Sequence, residues 1–233
     1  MARKLADIAS FIHHSTNKFK THLSDTLDEE VLIFLQQLSQ QCTIYLFSGI
    51  IRDFFLKKNN ARDIDLFIDG NVNLESLLKE KEYKKNSFGG YKIRINNTDI
   101  DLWFLEETWA IKNNQLVMDF DLAKYIPYTA FFNFSSIMYA YTEEKFYFTK
   151  HFLRFLRDRK MDIVFLANPN QALCVVNSMY YSNKYKLTMS DKLKRFLKKI
   201  YPLYIKQYEA VQEKHFGEVL YTVEEIGERI YNS

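Results

Sequence analysis

Two Asp-x-Asp patterns in apolar surroundings have the residue types and spacing that best suit a chemical role. Asp63 and Asp65 form the first pair, and Asp99 and Asp101 form the second. Residues two apart on a β-strand project from the same face, so each pair places two carboxylates side by side. Such carboxylates repel one another, and burial increases the repulsion. A divalent cation relieves it, because Mg²⁺ binds a few carboxylate oxygens together with substrate phosphates.

The second pair extends the first into a candidate two-metal centre. Asp101 lies between two branched aliphatic residues, as a carboxylate on a buried strand does. If the two strands are neighbours, Asp63, Asp65 and Asp101 converge on two ions, Mg²⁺ or Mn²⁺. Paired ions about 3.5–4 Å apart activate the attacking oxygen and stabilise the leaving oxygen in phosphoryl transfer. We take Asp101 as the third carboxylate, and Asp99 remains the alternative.

A Ser-Gly pair upstream is a candidate phosphate-binding turn. Ser48 and Gly49 stand between a predicted strand over 43–47 and a predicted helix over 50–58. Backbone amides at a helix N-terminus favour anions, and glycine lets a phosphate approach closely. Arg52, one turn into the helix, carries a fork of donors suited to phosphate oxygens. The turn is therefore predicted to hold phosphate groups beside the carboxylates.

A small mixed sheet flanked by helices must position these groups. A β-branched and aromatic run, an apolar alternation and a turn-prone Asn-Asn pair predict the strands, which cover 43–47, 63–68, 91–95 and 98–105. Apolar periodicity predicts the helices, which cover about 5–41, 50–58 and 74–83. The chain after 121 is predicted to be mainly helical, with room for short strands near 145–148. The order of elements predicts an α+β fold.

Composition narrows the classes of protein. The chain has 233 residues, 47% of them hydrophobic, and a net charge of +3, which is too balanced for a simple electrostatic binder of nucleic acid. Its two cysteines lie far apart and define neither a metal site nor a disulfide framework. No stretch is apolar enough to span a membrane, and the first residues do not read as a secretory signal. We therefore expect a cytoplasmic protein with no membrane insertion.

The motifs resemble those of the DNA polymerase β-like nucleotidyltransferase superfamily, above all the heads of CCA-adding enzymes and bacterial poly(A) polymerases. The run from Ser48 to Asp53 matches the family's Gly-Gly-x-x-Arg-Asp helix start, and the Asp-x-Asp strand follows at the family's spacing. A run over 132–139 looks like a diverged Asp-Phe-Thr-Ile-Asn-Ala motif. The resemblance implies a nucleotidyltransferase head over 1–165 and a helical C-terminal lobe over 166–233. It also implies that the three aspartates are catalytic and that the Ser-Gly turn binds the nucleotide.

The base-reading motif of that family is altered here. Where CCA-adding enzymes carry Glu-Asp-x-x-Arg, the best match places Asn168 and Gln171. Side-chain amides pair with one base edge, and Asn or Gln is the usual bidentate partner of adenine. We interpret both residues as nucleotide-binding with a preference for adenine. The equally weighted alternative is that this segment, which contains Pro169, is only the start of a helix.

The C-terminal part carries a basic helical face. Lys192, Arg195 and Lys199 recur at helical spacing, with Lys206 roughly in register. An ordinary solvated face is the favoured interpretation. The alternative is that this face follows a nucleic-acid strand, with nearby tyrosines as stacking surfaces.

A compact enzyme of this kind is similar to the nucleotidyltransferases of bacterial anti-phage operons, among them the Hailong type. That resemblance implies synthesis of short single-stranded oligodeoxyadenylate from dATP as a defence signal, and a membrane effector regulated by the product. It also implies priming on a tyrosine near the C-terminus, for which Tyr231 is the first candidate and Tyr221 the second.

Two other interpretations stay open. The chain transfers nucleotides to tRNA 3′ ends or to a protein, or it is a degenerate, non-catalytic nucleotide-binding module. Trp103 and Trp109 lie beside the third carboxylate strand, where we favour core packing over base stacking. His151 and His215 stand alone, without the spacing of metal ligands.

Overall fold

The computed structural model describes residues 4–58, 63–79, 81–85, 89–113 and 121–232. The helices are α1 (Leu5–His13), α2 (Thr16–Thr26), α3 (Glu29–Ser39), α4 (Gly49–Leu56), α5 (Leu74–Leu77), α6 (Trp109–Lys112), α7 (Lys150–Asp158), α8 (Gln171–Tyr185), α9 (Asp191–Ile200), α10 (Tyr208–Phe216) and α11 (Val223–Tyr231). The strands are β1 (Thr43–Phe47), β2 (Asp63–Asp69), β3 (Glu82–Lys85), β4 (Tyr91–Ile95), β5 (Thr98–Phe104), β6 (Ile137–Ala140), β7 (Lys145–Phe148), β8 (Lys160–Met161) and β9 (Thr188–Met189).

Seven of the strands form one mixed sheet in the order β3-β4-β5-β2-β1-β6-β7. Strands β2 and β5 pair in parallel, whereas the other neighbours in the sheet pair antiparallel. The predicted hairpin is confirmed, because β4 and β5 pair around the turn at Asn96, a residue with a φ of 51°. The two carboxylate strands are therefore direct neighbours in the sheet, as the sequence analysis required.

The sheet has two unlike faces. On one face, alternate residues such as Ile64, Leu66 and Ile100 are buried in the main core, where α3 and α4 pack on β1 and β2. The other face carries a smaller apolar cluster that includes Tyr45 and Phe67. The Asp-x-Asp side chains lie on this second face, because each alternates with the buried aliphatic residues of its strand. The sheet thus holds the carboxylates on the face opposite the main core.

The predicted helix over 74–83 is wrong in its second half. Helix α5 ends at Leu77, and Glu82–Lys85 forms the edge strand β3 against β4. Asn73 caps the single turn of α5 by accepting the amide of Ser76, and Leu74 and Leu78 are buried. The β3 residues are all exposed and lysine-rich, which is how natural proteins protect an edge strand from further pairing.

Strand β6 was missed, because its four residues are all buried and show no alternation. It lies between β1 and β7 in the sheet. It is covered on both faces, because Ile137 belongs to the main core and Met138 to the smaller apolar cluster. The short strand near 145–148 is confirmed as β7.

The C-terminal helices begin at defined caps. Asn170 and Ser190 accept amide hydrogen bonds at the starts of α8 and α9, and Thr222 forms a capping box with Glu225 at α11. Strand β8 pairs in parallel with β9, so the chain on either side of the predicted boundary at 165–166 is joined by hydrogen bonds. Among the described residues, no helix is both long and apolar enough to cross a membrane.

Candidate active site

The parallel pairing of β2 with β5 brings the predicted carboxylates together. Asp63 is the register partner of Asp99, and Asp65 is that of Asp101. Burial and the neighbouring carboxylates of Asp101 and Asp63 raise the pKa of Asp65 to about 7. Burial is also the main cause that raises the pKa of Asp101, with Asp63 and Asp99 adding to it. The carboxylates of the site therefore repel one another, as the sequence pattern predicted.

The two candidates for the third carboxylate differ in their partners. Arg94 Nη1 donates to Asp99 Oδ1 at 2.6 Å, so Asp99 is neutralised by a cation on the next strand. Asp101 stands opposite Asp65 and faces Lys92, the residue that is its register partner on β4. This arrangement favours Asp101 over Asp99 as the third member of the site.

The chemistry of these oxygens fits a hard divalent cation, because a cation offsets the repulsion that raises the pKa of Asp65. Within the described residues, however, no three His, Cys, Asp or Glu side chains stand at the spacing of metal ligands. Metal binding by Asp63, Asp65 and Asp101 therefore remains a prediction.

The Ser-Gly turn joins β1 to α4 through a strained backbone. Ser48 has φ 51° and ψ −92°, which places a non-glycine residue in the left-handed half of the backbone map. Its amide donates to Ile137 O at 3.2 Å, and its carbonyl accepts the amide of Arg52 at 2.8 Å. A Cβ on Gly49 would have ordinary van der Waals contact with Arg52 Nη2 at 3.8 Å. Packing within the protein would therefore tolerate a side chain at this position, and phosphate binding by the turn remains a prediction.

Arg52 lies in an aromatic cage that the sequence analysis did not foresee. Its guanidinium carbon is 4.9 Å, 5.2 Å and 5.6 Å from the ring centroids of Tyr185, Tyr181 and Phe134. The residue is only 6% exposed. Its positive charge acts on Asp65, where it opposes the rise in pKa. The guanidinium is therefore held behind the turn, and its contact with phosphate remains a prediction.

Asp53 holds this guanidinium in place through a hydrogen bond. Arg52 Nε donates to Asp53 Oδ1 at 3.0 Å, and Tyr185 Oη donates to the same oxygen at 2.7 Å. Burial and the hydrogen bond to Asp53 raise the pKa of Tyr185, so its hydroxyl keeps the proton that it donates. The C-terminal helix α8 thereby completes the surroundings of a motif on α4.

A cleft of about 290 Å³ opens between the carboxylate face and the segment after β8. Ser48, Asp65 and Asn168 all line it, together with Phe67 and Trp103. The structure thus brings three of the predicted site residues to one cavity. Its size is at the lower end of ordinary ligand pockets.

The two predicted base readers differ. Asn168 lines the cleft, while its Oδ1 accepts the amide of Asn170 at 2.9 Å. Gln171 is the first residue of α8 and does not line the cleft. Asn170 caps that helix, so a helix does begin directly after Asn168 and Pro169. Base reading by Asn168 and Gln171 stays a prediction.

One polar residue of the diverged motif over 132–139 forms hydrogen bonds with the backbone of another segment. Asn133 Nδ2 donates to Lys160 O at 2.9 Å, and its Oδ1 accepts the amide of Asp162 at 2.9 Å. This side chain is buried and joins the two chain segments. Ser135 instead lines the cleft.

Sequence reasoning missed a residue from the C-terminal lobe. His215 on α10 lies close enough to Asp63 and Asp101 for their charges to act on it, although burial is the main influence and lowers its pKa. It is far from both aspartates in the sequence, so no spacing rule indicated it.

The terminal tyrosines lie outside the cleft. Tyr231 is 55% exposed, with its ring 6.1 Å from that of Tyr201. The hydroxyl of Tyr221 accepts a hydrogen bond from Asn183 Nδ2 at 3.2 Å. On the basic face, Lys192 Nζ donates to Ile163 O at 2.8 Å, so this ammonium group is engaged in a hydrogen bond within the protein. Arg195 and the more distant lysines of this face are exposed.

Comparisons with known proteins bear on the architecture alone. No protein-family model and no curated protein matches the sequence. A CCA-adding enzyme solved with ATP superposes with a TM-score of 0.65 at 14% identity, over 90% of this chain and 53% of that one. The fold, a mixed sheet flanked by helices, therefore resembles that of a nucleotidyltransferase head.

Two further solved structures agree with this nucleotidyltransferase fold. A tRNA-processing enzyme in an apo form matches with a TM-score of 0.60 at 14% identity, over 88% of this chain and 57% of that one. A tRNA nucleotidyltransferase in complex with a primer tRNA and an incoming ATP analogue matches at 0.54 and 14%, over 75% of this chain and 52% of that one. The chain thus spans about half the length of these structures. The predicted fold class is confirmed.

Proposed function

We propose that this protein is a metal-dependent nucleotidyltransferase. The observation that carries the proposal is the register of the parallel strands, in which Asp65 stands opposite Asp101. Asp65 also lines the cleft that contains Ser48. A nucleotidyl transfer needs carboxylates for cations and a turn for phosphates in one cavity, and the fold is one in which solved enzymes carry ATP or CTP.

The residues divide the work as follows. Asp63, Asp65 and Asp101 hold two divalent cations, Mg²⁺ or Mn²⁺. When bound, these ions supply charge for the attacking and leaving oxygens of an in-line transfer. Amides at the N-terminus of α4, beginning at Gly49, hold the triphosphate, and the positive charge of Arg52 supports them. Asp101 also orients the attacking hydroxyl.

The finer form of the proposal is that the protein polymerises an adenine nucleotide, with dATP favoured. Asn168 in the cleft supports this, because a side-chain amide suits the donor and acceptor edge of adenine. The product would be a short single-stranded oligonucleotide that regulates a membrane effector in anti-phage defence, with Tyr231 as the priming group.

A second candidate is transfer to tRNA 3′ ends. It is favoured by the matched structure that holds a primer tRNA beside an incoming ATP analogue, and by the structures with CTP.

The test is incubation of the full chain with each labelled NTP and dNTP, with Mg²⁺ or Mn²⁺. We expect incorporation from dATP, abolished by Asp63→Asn and by Asp65→Asn. Asp69→Asn is the matched control, because this exposed aspartate ends the same strand. Incorporation from CTP that depends on added RNA would favour the tRNA activity. No incorporation from any nucleotide, beside an active reference enzyme, would refute catalysis and leave nucleotide binding as the alternative.

The priming residue is tested separately. If Tyr231 primes, labelled product stays attached to the denatured protein, and Tyr231→Phe releases or abolishes that label. Persistence of the label in Tyr231→Phe and its loss in Tyr221→Phe would transfer the role to Tyr221.

A further inference from the structure

A second cavity of about 680 Å³ adjoins the cleft, and nothing in the proposed function uses it. Phe67 and Trp103 line both cavities and form the wall between them. The second cavity also contains Trp109, Lys112 and Pro169. Its volume lies within the ordinary range of ligand pockets. The cavity is therefore a continuation of the candidate active site.

The strand register fixes how far this cavity lies from the carboxylates. Phe67 and Trp103 are register partners, two residues beyond the pair formed by Asp65 and Asp101. Two residues along a strand return to the same face after about 7 Å. The aromatic wall thus stands on the carboxylate face of the sheet, about one nucleotide's reach from the reacting centre.

The indole of Trp103 is held in place by a residue without a side chain. A Cβ on Gly90 would fall 2.4 Å, 2.5 Å and 2.8 Å from three carbons of this indole. The ring therefore lies directly against the backbone of residue 90. Both tryptophans remain partly exposed, so they offer aromatic surface to the cavity. This modifies our expectation that both serve core packing.

Polar groups border the aromatic surface. Lys112 forms an ion pair with Glu107 and keeps 60% of its side chain exposed. Thr108 Oγ1 is buried and has no hydrogen-bond partner among the described residues. Flat aromatic surface beside an exposed ammonium suits a base that is attached to a phosphate.

We propose that this cavity binds the 3′-terminal nucleobase of a single-stranded acceptor oligonucleotide, stacked between Trp103 and Trp109. The proposal rests on the proposed function. The incoming nucleotide would occupy the cleft of Ser48 and Asn168, and the attacking hydroxyl would lie at Asp101. Trp103 follows Asp101 on the same face of β5, so the base that carries that hydroxyl lies over Trp103.

Intrinsic fluorescence tests the proposal directly, because the chain has only these two tryptophans. The protein carrying Asp65→Asn, without metal, is titrated with a short single-stranded oligodeoxyadenylate. We expect saturable quenching. A labelled form of the oligonucleotide, followed by anisotropy, should bind about tenfold more weakly to Trp109→Ala, which corresponds to about 1.4 kcal/mol. Gly90→Ala, which displaces the indole, should weaken it similarly.

Controls separate the outcomes. Phe11→Ala removes a half-exposed aromatic ring on α1 and should leave binding unchanged. Circular dichroism identifies variants that fail to fold, and if either Trp109→Ala or Gly90→Ala does not fold, the other decides. Absence of quenching, or unchanged binding by both folded variants, would overturn the proposal, as would tighter binding of dATP alone at this site. Because binding is measured without catalysis, inactivity in the transfer assay would refute the proposed function and leave the oligonucleotide site standing.

Discussion

Replacement of Tyr185 by phenylalanine should destabilise the whole protein, although it removes one oxygen atom. The hydroxyl of Tyr185 donates to Asp53 Oδ1 at 2.7 Å, across 132 positions of sequence. Asp53 is 3% exposed and Arg52 is 6% exposed. The hydrogen bond therefore ties α8 to a buried ion pair on α4.

Typical energies of such groups set the size of the effect. A hydrogen bond to a charged group contributes about 1.5–3 kcal/mol, so Tyr185→Phe should lower the free energy of unfolding by that amount. Asp53→Ala should cost more, about 3–5 kcal/mol, because it leaves the guanidinium of Arg52 buried without its carboxylate. In the Asp53→Ala background, Tyr185→Phe should add little, since the acceptor is already gone.

Equilibrium unfolding in urea measures these differences. Tyr180→Phe is the matched control, because this tyrosine lies on the same helix and its hydroxyl forms no hydrogen bond with any residue that the structure describes. We expect the control to change stability by less than about 0.5 kcal/mol. If Tyr185→Phe behaves like the control, the hydrogen bond does not hold the two helices together. Equal losses from Tyr185→Phe in both backgrounds would also contradict the coupling.

Three further predictions follow from named contacts. Millimolar Mn²⁺ should raise the melting temperature of the protein and should do so less in Asp65→Asn, because the cation offsets like charge at that carboxylate; an equal rise in a thermal melt of both proteins would count against the metal site. Gly227→Ala should cost about 1–3 kcal/mol in urea unfolding, because its Cβ would fall 2.6 Å from Tyr201 Oη, and no loss would show that the tyrosine moves freely. Thr222→Ala removes the cap of α11 and should cost about 1 kcal/mol by the same assay, whereas an unchanged midpoint would contradict its capping role.

The sheet core was predictable because its residues obey local rules. The alternation around Asp63 and Asp65 marks a strand with one buried face, and the Asn-Asn pair marks the hairpin turn. The sequence did not determine whether β2 and β5 are neighbours in the sheet, although the candidate site depends on that pairing. Parallel register depends on packing between segments that are distant in sequence.

The aromatic cage and the histidine near the carboxylates depend on tertiary packing alone. Tyr181 and Tyr185 have ordinary helical spacing, and nothing local distinguishes them from other core tyrosines. His215 approaches Asp63 only because α10 folds back toward the sheet. Strand β6 shows the same limit, since its uniformly apolar residues fit either type of element.

The cage also bears on the predicted boundary at 165–166. Tyr181 and Tyr185 lie after it, yet they enclose Arg52, which lies before it. A fragment of residues 1–165 would therefore expose a guanidinium that the intact chain buries, and would lose the hydrogen bond to Asp53 and the pairing of β8 with β9. We expect this fragment to lack cooperative unfolding in urea, while the full chain retains it. A fragment that unfolds cooperatively, with stability close to that of the full chain, would show that residues 1–165 fold without the C-terminal helices.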